Sequence, residues 1–384
     1  MLLANHVDIH VVVNGKCEDR VMLDKYNNEQ LEMIRDIVVS LIEISNASII
    51  KNNFIKAFYT NTVDGRLRGT YNLFGAISFR LTSQSPNLLN LPSNSTYAKP
   101  IKEALIAPKG YVIYQVDLSA LEDRVIANLS GDKNKIATFT SGVDGHTLHS
   151  IYYKRQEWNK IFPPEENESD FDYAKRIYKE IENGNKQFKK MRQESKSPTF
   201  ALAYGAYPDK VSAVANISVE EAKNIFDIYH NELYEGISKY RNKVYEYVQE
   251  HGYIHLGLGC ILKSSKPDAD IRSLFNATCQ FWSILTLLTI HDLNVYVKES
   301  NLEDDIKVIS SIYDSIYIQV KKDPSIIKTV NDFVIPKLTK DFIENQIVHN
   351  EAQGEIGYDW YNTIQIPITA NEFDIAEILN RLDY

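Results

Sequence analysis

Apolar residues recur at helical spacing along residues 29–58 (EQLEMIRDIVVSLIEISNASIIKNNFIKAF), which predicts one or two helices. Residues 61–92 are rich in Gly, Ser, Thr and Asn and predict strands and turns. YVIYQVD at 111–117 has the pattern of a buried strand. Ser119 follows it in the position of an N-cap for a helix through LEDRVIANLS. Residues 154–190 are strongly charged, as solvated helices joined by a loop are. Long helices are expected over 220–250 and 270–298. IKVISSIYDSIYIQV at 306–320 predicts a hairpin with its turn at Asp314 and Ser315. Helices mixed with antiparallel strands give an α+β architecture.

Two carboxylates fall at unusual places in this pattern. Asp117 ends a buried strand and Asp314 sits at the tip of an apolar hairpin. A carboxylate there is costly unless it is paired, hydrogen-bonded or bound to a cation. If the two met at one sheet edge they could hold two Mg²⁺ about 3.5–4 Å apart, the arrangement of two-metal phosphoryl chemistry. On pattern alone a strand-ending Asp also fits a turn or a cap.

Two helical stripes add chemistry. Arg192, Lys196, Phe200 and Tyr204 recur every fourth residue, so one helix face runs from cationic to aromatic. Cations suit phosphates and rings suit a base and sugar. The same order fits a helix with a solvated basic end and a buried aromatic end. Arg272, Asn276 and Gln280 place three polar donors on an otherwise apolar helix. Such donors can reach minor-groove acceptors, which all base pairs present in similar places.

These segments resemble the DNA polymerase I family (family A). VDLSALEDRVIANLSGD is similar to the family's D-x-S-x-x-E-L-R followed by LSGD, with Asp117, Ser119, Glu122 and Arg124 in register and Asp123 in place of Leu. Arg192, Lys196, Phe200, Tyr204 and Gly205 match the finger-helix series R-x-x-x-K-x-x-x-F-x-x-x-Y-G. IYDSIYI resembles the second metal motif, usually V-H-D-E. FRLTSQSPNLLNLP, with DGRLRGTYNLFG upstream, resembles G-R-L-S-S-x-x-P-N-L-Q-N-I-P. DGHTLHS resembles D-I-H-T, Arg272–Asn276–Gln280 matches a further signature, and GEIGYDWYNT resembles the closing G-x-N-W segment. The blocks occur in family order from about residue 62 to 362.

The resemblance implies a right-hand polymerase: an antiparallel palm sheet, helical fingers and only a partial thumb. The divisions it implies are 1–60 (partial thumb or partner-docking helices), 61–125 (palm, first part), 126–271 (fingers) and 272–384 (palm, second part). It implies template-directed addition of dNTPs to a primer 3′-hydroxyl with two Mg²⁺ ions, held by Asp117, Leu118 and Asp314, with Lys196 as a further catalytic residue. Arg192, Lys196, His146, Phe200, Tyr204 and Glu122 would bind the dNTP, Glu122 excluding a 2′-hydroxyl. Arg80, Asn87, Asn90, Arg272, Asn276, Gln280 and Tyr313 would contact primer-template DNA. The chain departs from the pattern at Tyr313 (His), Ser315 (Glu), Phe79 and Phe281 (both Gly) and Leu89 (Gln). Pro198 lies inside the finger helix, where a proline should kink or delay it.

Composition adjusts this picture. The chain has 384 residues with 44% hydrophobic, 24% charged and 11% aromatic content, enough for two or three globular subdomains. Its net charge of −9 requires any nucleic-acid site to be a local basic groove on an acidic body. Cys17, Cys260 and Cys279 form no C-x-x-C pair, which predicts neither a disulfide framework nor a structural zinc, and a reducing compartment. No apolar run reaches the roughly 18 residues of a membrane span, and no signal peptide is evident. A cytoplasmic location follows, that of a bacterial host if the Asn-, Ile-, Lys- and Tyr-rich wording reflects a phage genome. With about 60 residues before the first palm motif, an exonuclease domain has no room. Either the chain is a fragment or a second polypeptide supplies thumb and exonuclease. The rival readings are a single-subunit RNA polymerase and a non-catalytic DNA-binding scaffold subunit of a split replicative polymerase.

Overall fold

The computed structural model describes residues 9–13, 16–21, 27–92 and 97–382. They form two compact units. One comprises residues 1–71 and 83–101, the other residues 72–82 and 102–384.

The smaller unit carries a hairpin of Ile9–Val13 and Lys16–Val21 and a helix over Asn28–Ile49. That helix starts in a full capping box: the Asn27 side chain accepts from Gln30 N–H, and Gln30 reaches back to the Asn27 amide. It continues through a π-helical stretch, Ile50–Ile55, into Lys56–Asn61. Ile50 and Phe54 there pack with Ile101 in a small core. A two-residue ladder joins Thr62–Val63 to Arg66–Leu67, as the turn-rich composition predicts.

The larger unit is built on a five-stranded antiparallel sheet. Its strand order is Ile306–Ile312, Ser315–Lys321, Tyr111–Leu118, Ala352–Gly357, Thr363–Ile366. The strand earliest in sequence is central because two later hairpins add on either side of it. Val112, Tyr114, Val116 and Leu118 alternate onto one buried face, against the helix Pro324–Thr339, whose Ile327, Val330, Val334 and Leu338 are fully buried. Gln115 and Asp117 therefore point to the other face. The register is fixed by Ser315 opposite Asp117 on one side and Gln353 opposite Asp117 on the other.

Between these strands the chain makes a helical region. Trp158, Tyr173 and Ile177 are fully buried, so the charged 154–190 segment is an amphipathic set of helices rather than a wholly solvated one. The helix expected over 220–250 is two, Val219–Ile228 and Glu235–His251, separated by a π turn and by Tyr234 outside helical geometry. The 270–298 helix is likewise interrupted by a 3₁₀ turn at Phe281–Ser283. Residues 268–299 are long and apolar enough to cross a membrane by length and composition, but 61% of the most apolar window is buried within the protein, as in a core helix.

Two further local expectations are corrected. Ser119 is not the N-cap. Its amide still bonds the Glu351 carbonyl at 2.8 Å, extending the sheet, and the chain turns at Ala120, φ 51°, before a helix at Leu121–Ser130. The hairpin turn is Tyr313–Asp314, not Asp314–Ser315, because Ile312 pairs with Ser315; Tyr313 takes the left-handed φ of 53°.

Gly354 shows how closely the sheet is covered. A Cβ there would lie 2.6 Å from the Tyr114 hydroxyl, which donates to Asn331 Oδ1 at 2.9 Å. Gly354→Ala should lower stability by about 1–3 kcal/mol, read as a fall in the urea midpoint. An unchanged midpoint would mean that this contact relaxes freely.

Candidate active site

The register of the central strand against Ser315–Lys321 brings Asp117 and Asp314 to one end of the sheet. The Leu118 amide donates to the Asp314 carbonyl at 3.2 Å, tying the hairpin tip to the strand end. Ser315 Oγ donates to the Asp117 carboxylate, so the residue that departs from the expected Glu is a hydrogen-bond partner instead. Burial and the neighbouring Asp117 charge push Asp314 up to about 6. Asp117 is raised too, by burial and by Glu355, with Ser315 opposing. Leu118 is buried, so only its backbone can face a ligand. Among the described residues no three His, Cys, Asp or Glu side chains cluster as a metal site.

A cavity of about 280 Å³ brings together Glu122, Phe200, Tyr204, Asn276 and Asp314. Its wall also holds Asp123 and Lys135, an ion pair at 2.8 Å. Asp123, a departure from the family's Leu, is thus the partner of a lysine buried against the Tyr234 ring. On the Asp117 side a second cavity of about 320 Å³ is lined by Gln115, Ser315, Gln353 and Glu355. Glu355 is held by Gln115 Nε2 at 2.7 Å and Thr363 Oγ1 at 2.6 Å. Sequence reasoning missed Gln353 and Glu355; polar residues two apart on a strand, facing the side of Asp117, were the available signal.

The finger series is broken. Helix Lys186–Glu194 ends and Lys196–Ala203 begins with Ser195 between them. Pro198 explains the joint: it has no amide for the Glu194 carbonyl, and its ring would collide with it. Arg192 does not project free. Its guanidinium makes a two-pronged ion pair with Asp144, at 2.8 and 2.7 Å. Lys196 is half-buried and its charge reaches His146. Burial holds His146 below its ordinary value; its Nδ1 is buried without a partner, and its ring lies 5.6 Å from Phe200. Phe200 and Tyr204 are exposed, at 53% and 45%.

Arg80 is also engaged. It bonds Glu122 at 2.5 Å and lies over the Tyr313 ring at 5.2 Å. Phe79 and Phe281, both at expected glycine positions, stack edge-to-face at 5.7 Å, so each departure is the other's packing partner. Phe79 keeps a left-handed φ of 63° despite its side chain. Arg272 is exposed beside Gly205, while Asn276 and Gln280 are half-buried on the same helix. In the smaller unit, the Asn87 side chain caps the turn Leu88–Asn90 by accepting from the Leu89 amide at 3.1 Å. Leu89, in place of Gln, is buried.

The sheet thus carries a carboxylate pair at its end, and Phe200 and Tyr204 share a cavity with Asp314. The fold is similar to that of the POL domain of Pol1 from M. smegmatis, solved in complex with DNA primer-template and dNTP. The TM-score is 0.63 at 21% identity, over 79% of this chain and 50% of that one. The profile of DNA polymerase family A matches residues 7–362, and the chain belongs to that family. It is 26% identical over 233 residues to DNA polymerase I of Chloroflexus aurantiacus, covering 60% of this chain and 22% of that protein. It is 30% identical over 197 residues to DNA polymerase I of Mycobacterium tuberculosis, covering 51% and 19%. The thermostable DNA polymerase I of Thermus aquaticus is 25% identical over 246 residues, covering 64% and 26%. The chain thus spans about a quarter or less of the length of these relatives.

Asp144 supplies a test of the finger geometry. Burial raises its pKa, but hydrogen bonds from Arg192 and Thr147 outweigh that and leave it below the usual carboxylate range. A depressed carboxylate contributes its stability above the unfolded value, roughly pH 4, and loses it as pH falls through the folded value. Asp144→Asn should cost about 1–3 kcal/mol at pH 7. The gap from the unaltered chain should narrow progressively as pH falls below about 4 in paired denaturant melts. A gap that stays constant with pH would contradict the pairing.

Proposed function

We propose that this chain is a template-directed DNA polymerase that adds dNTPs to a primer 3′-hydroxyl with the help of two Mg²⁺ ions. The observation that carries the proposal is the carboxylate pair: Asp117 at the end of the central strand and Asp314 in the adjoining hairpin turn lie close enough for the Asp117 charge to raise the cost of charging Asp314. Arg80, whose charge reaches Asp314, is bonded to Glu122 instead. Such a donor set fits hard divalent cations, whose remaining ligands in phosphoryl-transfer sites are substrate phosphates and water. Asp117, Asp314 and the Leu118 backbone would hold the ions, which when bound would activate the 3′-hydroxyl and carry charge on the departing pyrophosphate.

The protein's own groups do the rest. Arg192, Lys196 and His146 grip the triphosphate; Arg192 must then share or leave Asp144. Lys196 stands nearest the leaving phosphates in this reading and acts as the catalytic cation. Phe200 and Tyr204 border the nascent base pair. Glu122 lies beneath the sugar and excludes a 2′-hydroxyl. Arg80, Arg272, Asn276, Gln280 and Tyr313 follow the minor groove near the primer terminus, with Asn87 and Asn90 on the template-primer duplex. The work takes place in a cytoplasm, where primed DNA and dNTPs are found.

Asp117→Ala or Asp314→Ala should each reduce Mg²⁺-dependent primer extension by at least about 10³-fold while DNA binding is largely kept. Near-normal extension by Asp117→Ala would end this reading. A scaffold subunit would bind the duplex and extend nothing even unaltered.

Glu122→Ala should raise rNTP incorporation relative to dNTP, because the gate is steric. It also frees Arg80. An unchanged ratio in competitive single-nucleotide insertion would exclude Glu122 as the gate.

A further inference from the structure

The helix Asn28–Ile49 buries none of its 22 residues. Met33, Ile37, Leu41 and Ile44 follow at i, i+4, i+8 and i+11, so they share one face over about three turns. They are 66%, 49%, 60% and 62% exposed. A row of large apolar side chains this long is normally covered. The helix is about 33 Å long, the span of a partner helix of equal length.

Charge says what covers it. The helix carries four carboxylates (Glu29, Glu32, Asp36 and Glu43) against one guanidinium, Arg35, which is already bonded to Asp36 at 2.8 Å. Glu29, Glu32 and Asp36 flank Met33, Ile37 and Leu41 on one open surface of this helix. An anionic lipid surface would be repelled by those carboxylates. A second copy of the chain would set four carboxylates against four, on bodies of net charge −9. The complementary occupant is an amphipathic helix with an apolar seam and Lys or Arg flanking it, paired as in a two-helix coiled coil.

We propose that the helix Asn28–Ile49 is the docking face for a basic-flanked amphipathic helix of another polypeptide. The proposal goes beyond the polymerase reading and stands apart from it, on the bare apolar row and the acidic residues beside it.

The test uses the whole purified chain and two labelled synthetic 22-residue helical peptides with the same leucine seam, one flanked by Lys and one by Glu. Fluorescence anisotropy should show the Lys peptide binding at least about tenfold more tightly, with affinity falling as salt rises. Ile37→Glu combined with Leu41→Glu should abolish binding. Charge reversal at Glu29, Glu32 and Asp36 to Lys, all exposed, should switch preference to the Glu peptide, with circular dichroism checking that the chain stays folded. Equal binding of both peptides, no binding of either, or sedimentation of the chain alone as a dimer broken by Ile37→Glu would each overturn the proposal. The readout involves no catalysis. An inactive chain that binds the Lys peptide would refute the polymerase reading and leave the docking face standing, and an active chain that ignores it would do the reverse.

Discussion

The antiparallel pairing of Tyr111–Leu118 with Ser315–Lys321 is the constraint on which the site depends. Nearly two hundred residues separate Asp117 from Ser315 in sequence, yet the ladder places them opposite one another. A shift of one residue would turn Asp117 into the core and Val116 out of it. The buried face formed by Val112, Tyr114, Val116 and Leu118 against the helix Pro324–Thr339 prevents that shift. Core packing therefore fixes where two repelling carboxylates stand, and the Leu118–Asp314 backbone bond holds the hairpin tip beside them.

Around that fixed pair, the cations suited to a nucleotide are engaged by the protein's own acids. Arg192 is held by Asp144 and Arg80 by Glu122, both with side chains less than one-third exposed. Charge-assisted pairs of this kind keep a cationic site ordered on a chain of net charge −9. In the proposed reading, a polyphosphate or a base edge would compete with Asp144 and Glu122 for these guanidinium donors.

The departures from the family pattern become intelligible as pairs. Phe79 and Phe281 replace two glycines and stack on each other. Asp123 meets Lys135, Ser315 bonds Asp117, and Tyr313 receives Arg80 over its ring. Each looked like an isolated change along the chain. A residue's neighbours on a folded surface are set by packing, so compensations between distant positions have no local signature.

What the sequence by itself determined is local and periodic. Short apolar runs placed the central strand and the hairpin; the fourfold spacing of Arg192, Lys196, Phe200 and Tyr204 announced a helix; and Pro198 foretold its break, since a missing amide acts within one turn. The ordered motifs named the family. Boundaries set by competition were lost: Ser119 was drawn into the sheet by Glu351, and the hairpin turn was set one residue earlier by the Ile312–Ser315 pairing. The tertiary structure alone decided which acid holds which arginine and that Glu355 stands on the side of Asp117. It also left the apolar face of Asn28–Ile49 bare. An ion pair or an uncovered face is a relation between segments far apart in the chain, and no periodicity encodes distance in space.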